Sequence, residues 1–233
     1  MNVEGTESER LFEQFCATND VQYVRIETKS ASGERTPDYE IRTSCGGRVA
    51  VEVKQFNPTE EEKRLYQQLQ ERGYTDSYGS EPGAKARLKI QSGAKQLKAY
   101  ADGHLPTLLV LYSNVPFPRR GVDPYEIKTA MYGIEKTDIT LDGSSGAARV
   151  SDRGFGPKRK MTPTSNTSLS AVGTLLDSSE SGLMLVVYHN KYASNPLPVS
   201  WLQTPQVKHF MIEEKRPGEF QEWVQCTEQK ECM

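Results

Sequence analysis

Three side chains near the N-terminus have the types and spacing to act together. Residues 36–55 read TPDYEIRTSCGGRVAVEVKQ. Side chains two apart on a strand project to the same face. Glu52 and Lys54 therefore stand side by side, while Val51 and Val53 point into the sheet. Asp38 opens the preceding stretch, where Pro37 restricts the entering backbone. A turn at Cys45-Gly46-Gly47 folds the two stretches together and brings the Asp38 carboxylate beside Glu52. Two converging carboxylates repel unless a cation sits between them, and their hard oxygens suit Mg²⁺ or Mn²⁺. An adjacent lysine can orient or deprotonate a water and offset charge on a pentacovalent phosphate. Together these groups suit hydrolysis of a phosphodiester.

The flanking elements must hold these residues in place. Ser8 to Ala17 reads as a helix, with Leu11, Phe12, Phe15 and Cys16 at helical spacing and Glu9 and Glu13 one turn apart. Val21 to Glu27 alternates like a strand, and Ser30 to Arg35 reads as a loop. Asp38 to Thr43 and Arg48 to Phe56 form a β-hairpin. Pro58 to Arg72 is a polar helix that ends before Gly73. Ala84 to Ala101 is the strongest helix, with Ala86, Ile90, Ala94, Leu97 and Ala101 in one apolar stripe. Thr107 to Ser113 is a nearly continuous apolar run, as expected of a strand covered on both faces. Pro124 to Tyr132 suggests a further helix, and Leu169 to Leu176 and Leu183 to His189 two further strands. The expected fold is therefore α/β, a mixed central β-sheet flanked by helices, in one domain over residues 1–233. Its core spans about residues 8–113, followed by a C-terminal extension over 114–225 and a polar tail over 226–233.

The order of these features resembles the PD-(D/E)XK, or restriction-endonuclease-like, nuclease superfamily. The matching residues are Pro37-Asp38, then Glu52-Val53-Lys54, with the acidic helix Ser8-Glu9-Arg10-Leu11-Phe12-Glu13 upstream. Gln96-Leu97-Lys98-Ala99-Tyr100 looks like the Q-x-x-x-Y element of RecB-type nucleases. E-x-K alone carries little, because Glu61-Glu62-Lys63 and Glu213-Glu214-Lys215 repeat it in charged stretches. The resemblance implies a restriction-endonuclease-like core and metal-dependent cleavage of nucleic acid, DNA before RNA. It also implies that Asp38, Glu52 and the Val53 carbonyl hold Mg²⁺ or Mn²⁺, with Lys54 serving the water. Glu13 or Glu9 would add an acidic ligand, and Gln96 would support the site. The segment Pro58 to Gly83 is longer than such a core needs, and the second half matches no subfamily.

Other readings of the same residues remain open. Asp38 could cap a turn, with Glu52 and Lys54 forming a surface ion pair. The fold could also serve as a binding module in a larger complex, or as a phosphoesterase for a small nucleotide. Lys85, Arg87, Lys89, Lys95 and Lys98 form a basic run that is either a solvated face or a track for phosphates. Lys89, Gln96 and Tyr100 share a helix face beside the apolar stripe, which makes Lys89 and Tyr100 candidate contacts to nucleic acid. Asp142 to Thr167 is rich in Gly, Ser and Pro and long for a connection, so it is either mobile or functional. It contains Lys158-Arg159-Lys160, which would either close on DNA or only solubilise a loop. His189-Asn190 ends an apolar strand and reads as structural.

Composition bounds the partners. Acids and bases nearly cancel, 31 against 29, so a net charge of -2 excludes a general polyanion-coating surface. Any charge that meets nucleic acid must be local. Cys16, Cys45, Cys226 and Cys232 include no C-x-x-C pair, which argues against zinc and for free thiols in a reducing compartment. With a polar N-terminus and no long apolar run, the expectation is a cytoplasmic protein with no membrane contact. One site cuts one strand, so a homodimer or larger complex is an open expectation.

Overall fold

A computed structural model describes residues 5–26, 36–43, 45–75, 81–115, 121–178, 182–213, 219 and 221–226. The expected loop over Ser30 to Arg35, residues 116–120, Glu214-Lys215 and the tail after Cys226 lie outside the described residues.

Helix α1 (Glu7–Thr18) starts at Thr6, whose hydroxyl accepts the Glu9 N–H, and it buries Leu11, Phe12, Phe15 and Cys16. Strands β1 (Gln22–Arg25), β2 (Tyr39–Arg42) and β3 (Arg48–Phe56) form an antiparallel meander. Helix α2 (Glu60–Arg72) opens with a capping box between Thr59 and Glu62, and Gly73 closes it in the left-handed region. Helix α3 (Ala84–Ala101) lays its apolar stripe on the sheet and returns the chain to β4 (Thr107–Ser113), which runs parallel to β3. Helix α4 (Pro124–Tyr132) has Asp123 as its N-cap and packs beside α3.

The main sheet continues through β7 (Ala171–Ser178), β8 (Gly182–His189), β9 (Val207–Ile212) and β10 (Trp223–Gln225). Its eight strands run in the order β1-β2-β3-β4-β7-β8-β9-β10, with parallel and antiparallel pairs mixed. One apolar cluster lies on the α1 face and includes Val49, Val51, Val53, Leu108 and Val110. Another lies on the α3 and α4 face and includes Ala50, Phe56, Leu109 and Leu111. Strand β4 is thus covered on both faces, as its unbroken apolar run requires. The fold is α/β, with a large mixed central sheet flanked by helices.

In the second half the expected helix and two strands are present as α4, β7 and β8, and one stretch departs from its sequence reading. Residues 135–155 form a two-stranded antiparallel ribbon, β5 (Glu135–Leu141) with β6 (Ala148–Phe155), where a loop was expected over most of the segment. Residues 158–161 are also held in place: the Lys160 and Met161 N–H groups donate to the Met131 carbonyl at 3.1 and 2.7 Å. Among the described residues, the C-terminal half supplies four of the eight strands of the main sheet. Among the described residues, no helix is long and apolar enough to cross a membrane.

Candidate active site

The hairpin geometry follows from its hydrogen-bond parity. The Thr43 N–H donates to the Gly47 carbonyl at 2.9 Å, and Tyr39 stands opposite Val51 in register. Counting by twos, Tyr39–Val51 is a hydrogen-bonded pair, and the next such position would set residue 37 opposite Val53. Residue 37 is proline, which has no N–H to give the Val53 carbonyl. The ladder ends there, and the Asp38 side chain takes over: its Oδ2 accepts the Val53 N–H at 2.8 Å. By the same parity Asp38 and Glu52 occupy a non-hydrogen-bonded position, where facing side chains are closest. They lie on the α3 face, the side to which Ala50 and Phe56 also point.

Glu52 has no exposed side-chain surface. Lys54 forms an ion pair with its Oε1, yet neither carboxylate oxygen has a hydrogen bond of good geometry. Burial, and then the charge of Asp38, push the Glu52 carboxyl up to about 7, while the Lys54 ammonium and the Gln96 amide pull it down. Burial also raises the Asp38 carboxyl, against the Val53 N–H and Lys54. A capped turn and a surface ion pair do not describe such a buried carboxylate.

Helix α3 lies close to the sheet because Gly93 has no side chain. A Cβ there would meet Leu109 Cδ1 at 2.6 Å, and Leu109 stands opposite Glu52 in the β3–β4 register. This approach carries one face of α3 across β3. The Lys89 ammonium lies 5.9 Å from the Phe56 ring centroid, Gln96 reaches Glu52, and the Tyr100 hydroxyl donates to Glu40 Oε2 at 3.4 Å. Burial and the neighbouring Lys54 lower the Lys89 ammonium.

No protein-family model, no curated protein and no solved structure matches this chain.

The structure places the remaining expected residues as follows. Glu13 Oε1 accepts the Tyr39 hydroxyl at 2.8 Å and Arg25 Nη1 at 3.2 Å, while Glu9 Oε2 accepts Arg25 Nη2 at 2.6 Å. Both acids are thus paired, and the charge of Glu9 is the one that raises Asp38. Among the described residues, no group of three or more His, Cys, Asp or Glu side chains converges to hold a metal.

The basic run is divided. Arg87 is a correction: it is buried, pairs with Glu81 and donates to the Pro82 carbonyl at 2.9 Å, so its guanidinium is committed to the fold. Lys158 pairs with the same Glu81, and Arg159 donates to the Gly156 carbonyl at 2.9 Å and to the Phe155 carbonyl. A freely closing basic loop is therefore not what these residues form. Lys95 is exposed on α3. His189 and His209 are buried with ring nitrogens 2.9 Å apart.

Sequence reasoning missed Arg25, Glu40, Arg42 and Arg48 around the acids. The period-two alternation that paired Glu52 with Lys54 also puts Glu40, Arg42 and Arg48 on their face.

Proposed function

We propose that this chain is a nuclease that hydrolyses nucleic-acid phosphodiester bonds with Mg²⁺ or Mn²⁺, DNA being the favoured substrate. The observation that carries this reading is Glu52, a fully buried carboxylate beside Asp38 with neither oxygen in a good hydrogen bond. Burying two converging carboxylates is costly; Lys54 meets one of the charges, and a divalent cation between the two acids would offset the rest. The donor set fits Mg²⁺, which takes one or two carboxylates and keeps several waters. Asp38, Glu52 and the Val53 carbonyl would be the ligands from the chain. The order helix, hairpin, helix, parallel strand supports this reading, as does the approach of Gln96 to Glu52.

Each residue then has a role. The Val53 N–H fixes the Asp38 carboxylate. Lys54, drawn off Glu52 when that oxygen is engaged, orients the attacking water and offsets charge on the phosphate. Gln96 holds the Glu52 side chain from the helix side. A bound cation supplies positive charge against the phosphate oxygens.

The test is cleavage of supercoiled plasmid, linear duplex, single-stranded DNA and RNA in Mg²⁺, Mn²⁺ or EDTA, with Asp38→Ala and Lys54→Ala alongside. Cutting that needs the metal and is lost in both variants is the expected result. Undiminished cutting by Lys54→Ala would overturn the assignment. Nucleic-acid binding without cutting, indifferent to metal and to Asp38→Ala, would favour a binding module.

A further inference from the structure

The hairpin face that carries Asp38 and Glu52 continues, away from them, to two arginines. Arg42 and Arg48 stand directly opposite each other in register. Thr43–Gly47 is a hydrogen-bonded position, so Arg42–Arg48 is a non-hydrogen-bonded one, where Cα atoms come within ~4.5 Å. Like charges directly opposite across two strands destabilise a sheet. Both side chains are exposed, 62% and 55%, and among the described residues a single acid serves the two. That acid, Glu40, is 7% exposed and lies 3.5 Å from Arg42 Nε and 3.4 Å from Arg48 Nη1. The Tyr100 hydroxyl shares its Oε2. One carboxylate against two guanidiniums leaves an excess positive charge, with N–H groups facing solvent.

The pair is aligned with the acids. Asp38, Glu40 and Arg42 alternate onto one face of β2, and Arg48, Glu52 and Lys54 onto the same face of β3. Arg48 precedes Glu52 by four residues, about 13 Å along a strand. Lys54 follows, with Lys89 beside it on α3. The face thus reads, along the hairpin, two arginines with Glu40 between them, then Asp38 and Glu52, then two lysines. In a chain with net charge -2, this is the local positive charge that a polyanion requires.

We propose that Arg42 and Arg48 form a fork that grips a backbone phosphate of a single nucleic-acid strand crossing the loop end of the β2–β3 hairpin. The guanidinium plane matches phosphate geometry with paired N–H donors. The gripped phosphate lies at most about four nucleotides from the bond that is cut, at the ~3.4 Å per nucleotide of a stacked strand. The inference rests on the nuclease reading for the position of the cut, while the grip itself does not need cutting.

The test compares the full-length chain with Arg42→Gln/Arg48→Gln and Arg42→Lys/Arg48→Lys. Binding of a labelled single-stranded dodecamer is followed by fluorescence anisotropy in EDTA across a salt series, and cleavage of the dodecamer and of a dinucleotide in Mg²⁺. The glutamine variant should bind the dodecamer ~10-fold more weakly at low salt, with the log–log salt slope reduced by about 0.7 per lost phosphate contact. The lysine variant should keep the slope, and the glutamine variant should lose more of its dodecamer cleavage than of its dinucleotide cleavage. An unchanged slope and affinity in the glutamine variant would overturn the fork whether or not the protein cuts. A wild type that binds but never cuts, with binding lost in the glutamine variant, would overturn the nuclease reading and keep the fork. A wild type that neither binds nor cuts would overturn both.

Discussion

The Val53 backbone N–H donates to Asp38 Oδ2 at 2.8 Å, in the place where the β2–β3 ladder would have offered it a carbonyl. Proline at 37 has no N–H with which to continue the ladder, and the Asp38 carboxylate takes the Val53 donor in place of the Pro37 carbonyl. An asparagine at 38 can accept the same hydrogen bond through its Oδ1, whereas alanine cannot. Leaving a buried N–H unpaired costs about 1–3 kcal/mol. Urea melts should therefore find Asp38→Ala destabilised by that amount and Asp38→Asn close to wild type, with cleavage lost in both. Equal destabilisation of the two variants would show that the hydrogen bond does not hold the strand end.

Gly93 and Leu109 set the height of α3 above the sheet. Gly93→Ala gains ~1 kcal/mol of helix propensity but forces a methyl into Leu109, an overpacking cost of about 1–3 kcal/mol. Its net effect on stability should lie between zero and a loss of about 2 kcal/mol. Cleavage should fall more than stability does, because Gln96 is displaced from Glu52. Leu109→Ala alone should cost about 2–5 kcal/mol. In the double variant the new methyl fills part of the cavity, so the combined loss should be smaller than the sum. Strict additivity in a denaturation cycle would show that the two residues do not press on each other.

Glu9 and Glu13 share Arg25 but differ in their second neighbour. Glu13 is held by Tyr39 and Arg25, whereas the charge of Glu9 raises the Asp38 carboxyl. Glu9→Gln should lower the Asp38 carboxyl and carry the acid limb of the cleavage profile to lower pH. Glu13→Gln should leave that limb in place and weaken the fold, because the Tyr39 hydroxyl keeps only a neutral acceptor, a loss of roughly 1 kcal/mol. A pH profile of kcat for each variant separates them. A shifted limb in Glu13→Gln alone would assign the role to the other acid.

These two glutamates also mark how far the sequence could be read. The hairpin, α3 and β4 were legible because their periodicity is local: Val49 to Val53 alternate, Ile90, Ala94 and Leu97 recur at helical spacing, and Leu108 to Leu111 are apolar on both faces. The pairing of Asp38 with Glu52 followed from the same alternation. The partners of Glu13 did not, because Arg25 and Tyr39 are reached through tertiary packing that no spacing encodes. Arg87 looked like part of a basic run until Glu81 and the Pro82 carbonyl closed on it. The β5–β6 ribbon escaped notice because most of its residues are exposed and it buries little against the core. Its alternation of Thr137, Ile139 and Leu141 was visible, but no buried face was demanded of it.

Glu52 and His189 give the fold opposite responses to pH. Burial raises the Glu52 carboxyl from 4.5 to about 7. Between those values the native state holds more protons than the unfolded state, so this group's contribution to stability is lost as pH rises. His209 Nε2 donates to the Leu202 carbonyl at 3.1 Å, which leaves its Nδ1 to accept from His189 Nε2. Burial, and then His209, push the His189 imidazole down from 6.5 to about 3. Over that interval the unfolded state binds more protons, so this contribution is lost as pH falls. In metal-free protein the two slopes oppose each other between pH 4.5 and 6.5. Glu52→Gln removes one of them. Its stability in urea should rise steadily over that window and exceed wild type at pH 8 by a few kcal/mol at most, at ~1.4 kcal/mol for each tenfold change in proton affinity on folding. Saturating Mg²⁺ should stabilise wild type at pH 8 and leave Glu52→Gln nearly unmoved, because the ligand acts only through a site that the native state retains. Wild type and Glu52→Gln with the same pH dependence and the same response to Mg²⁺ would show that Glu52 is neither a strained carboxylate nor a metal ligand.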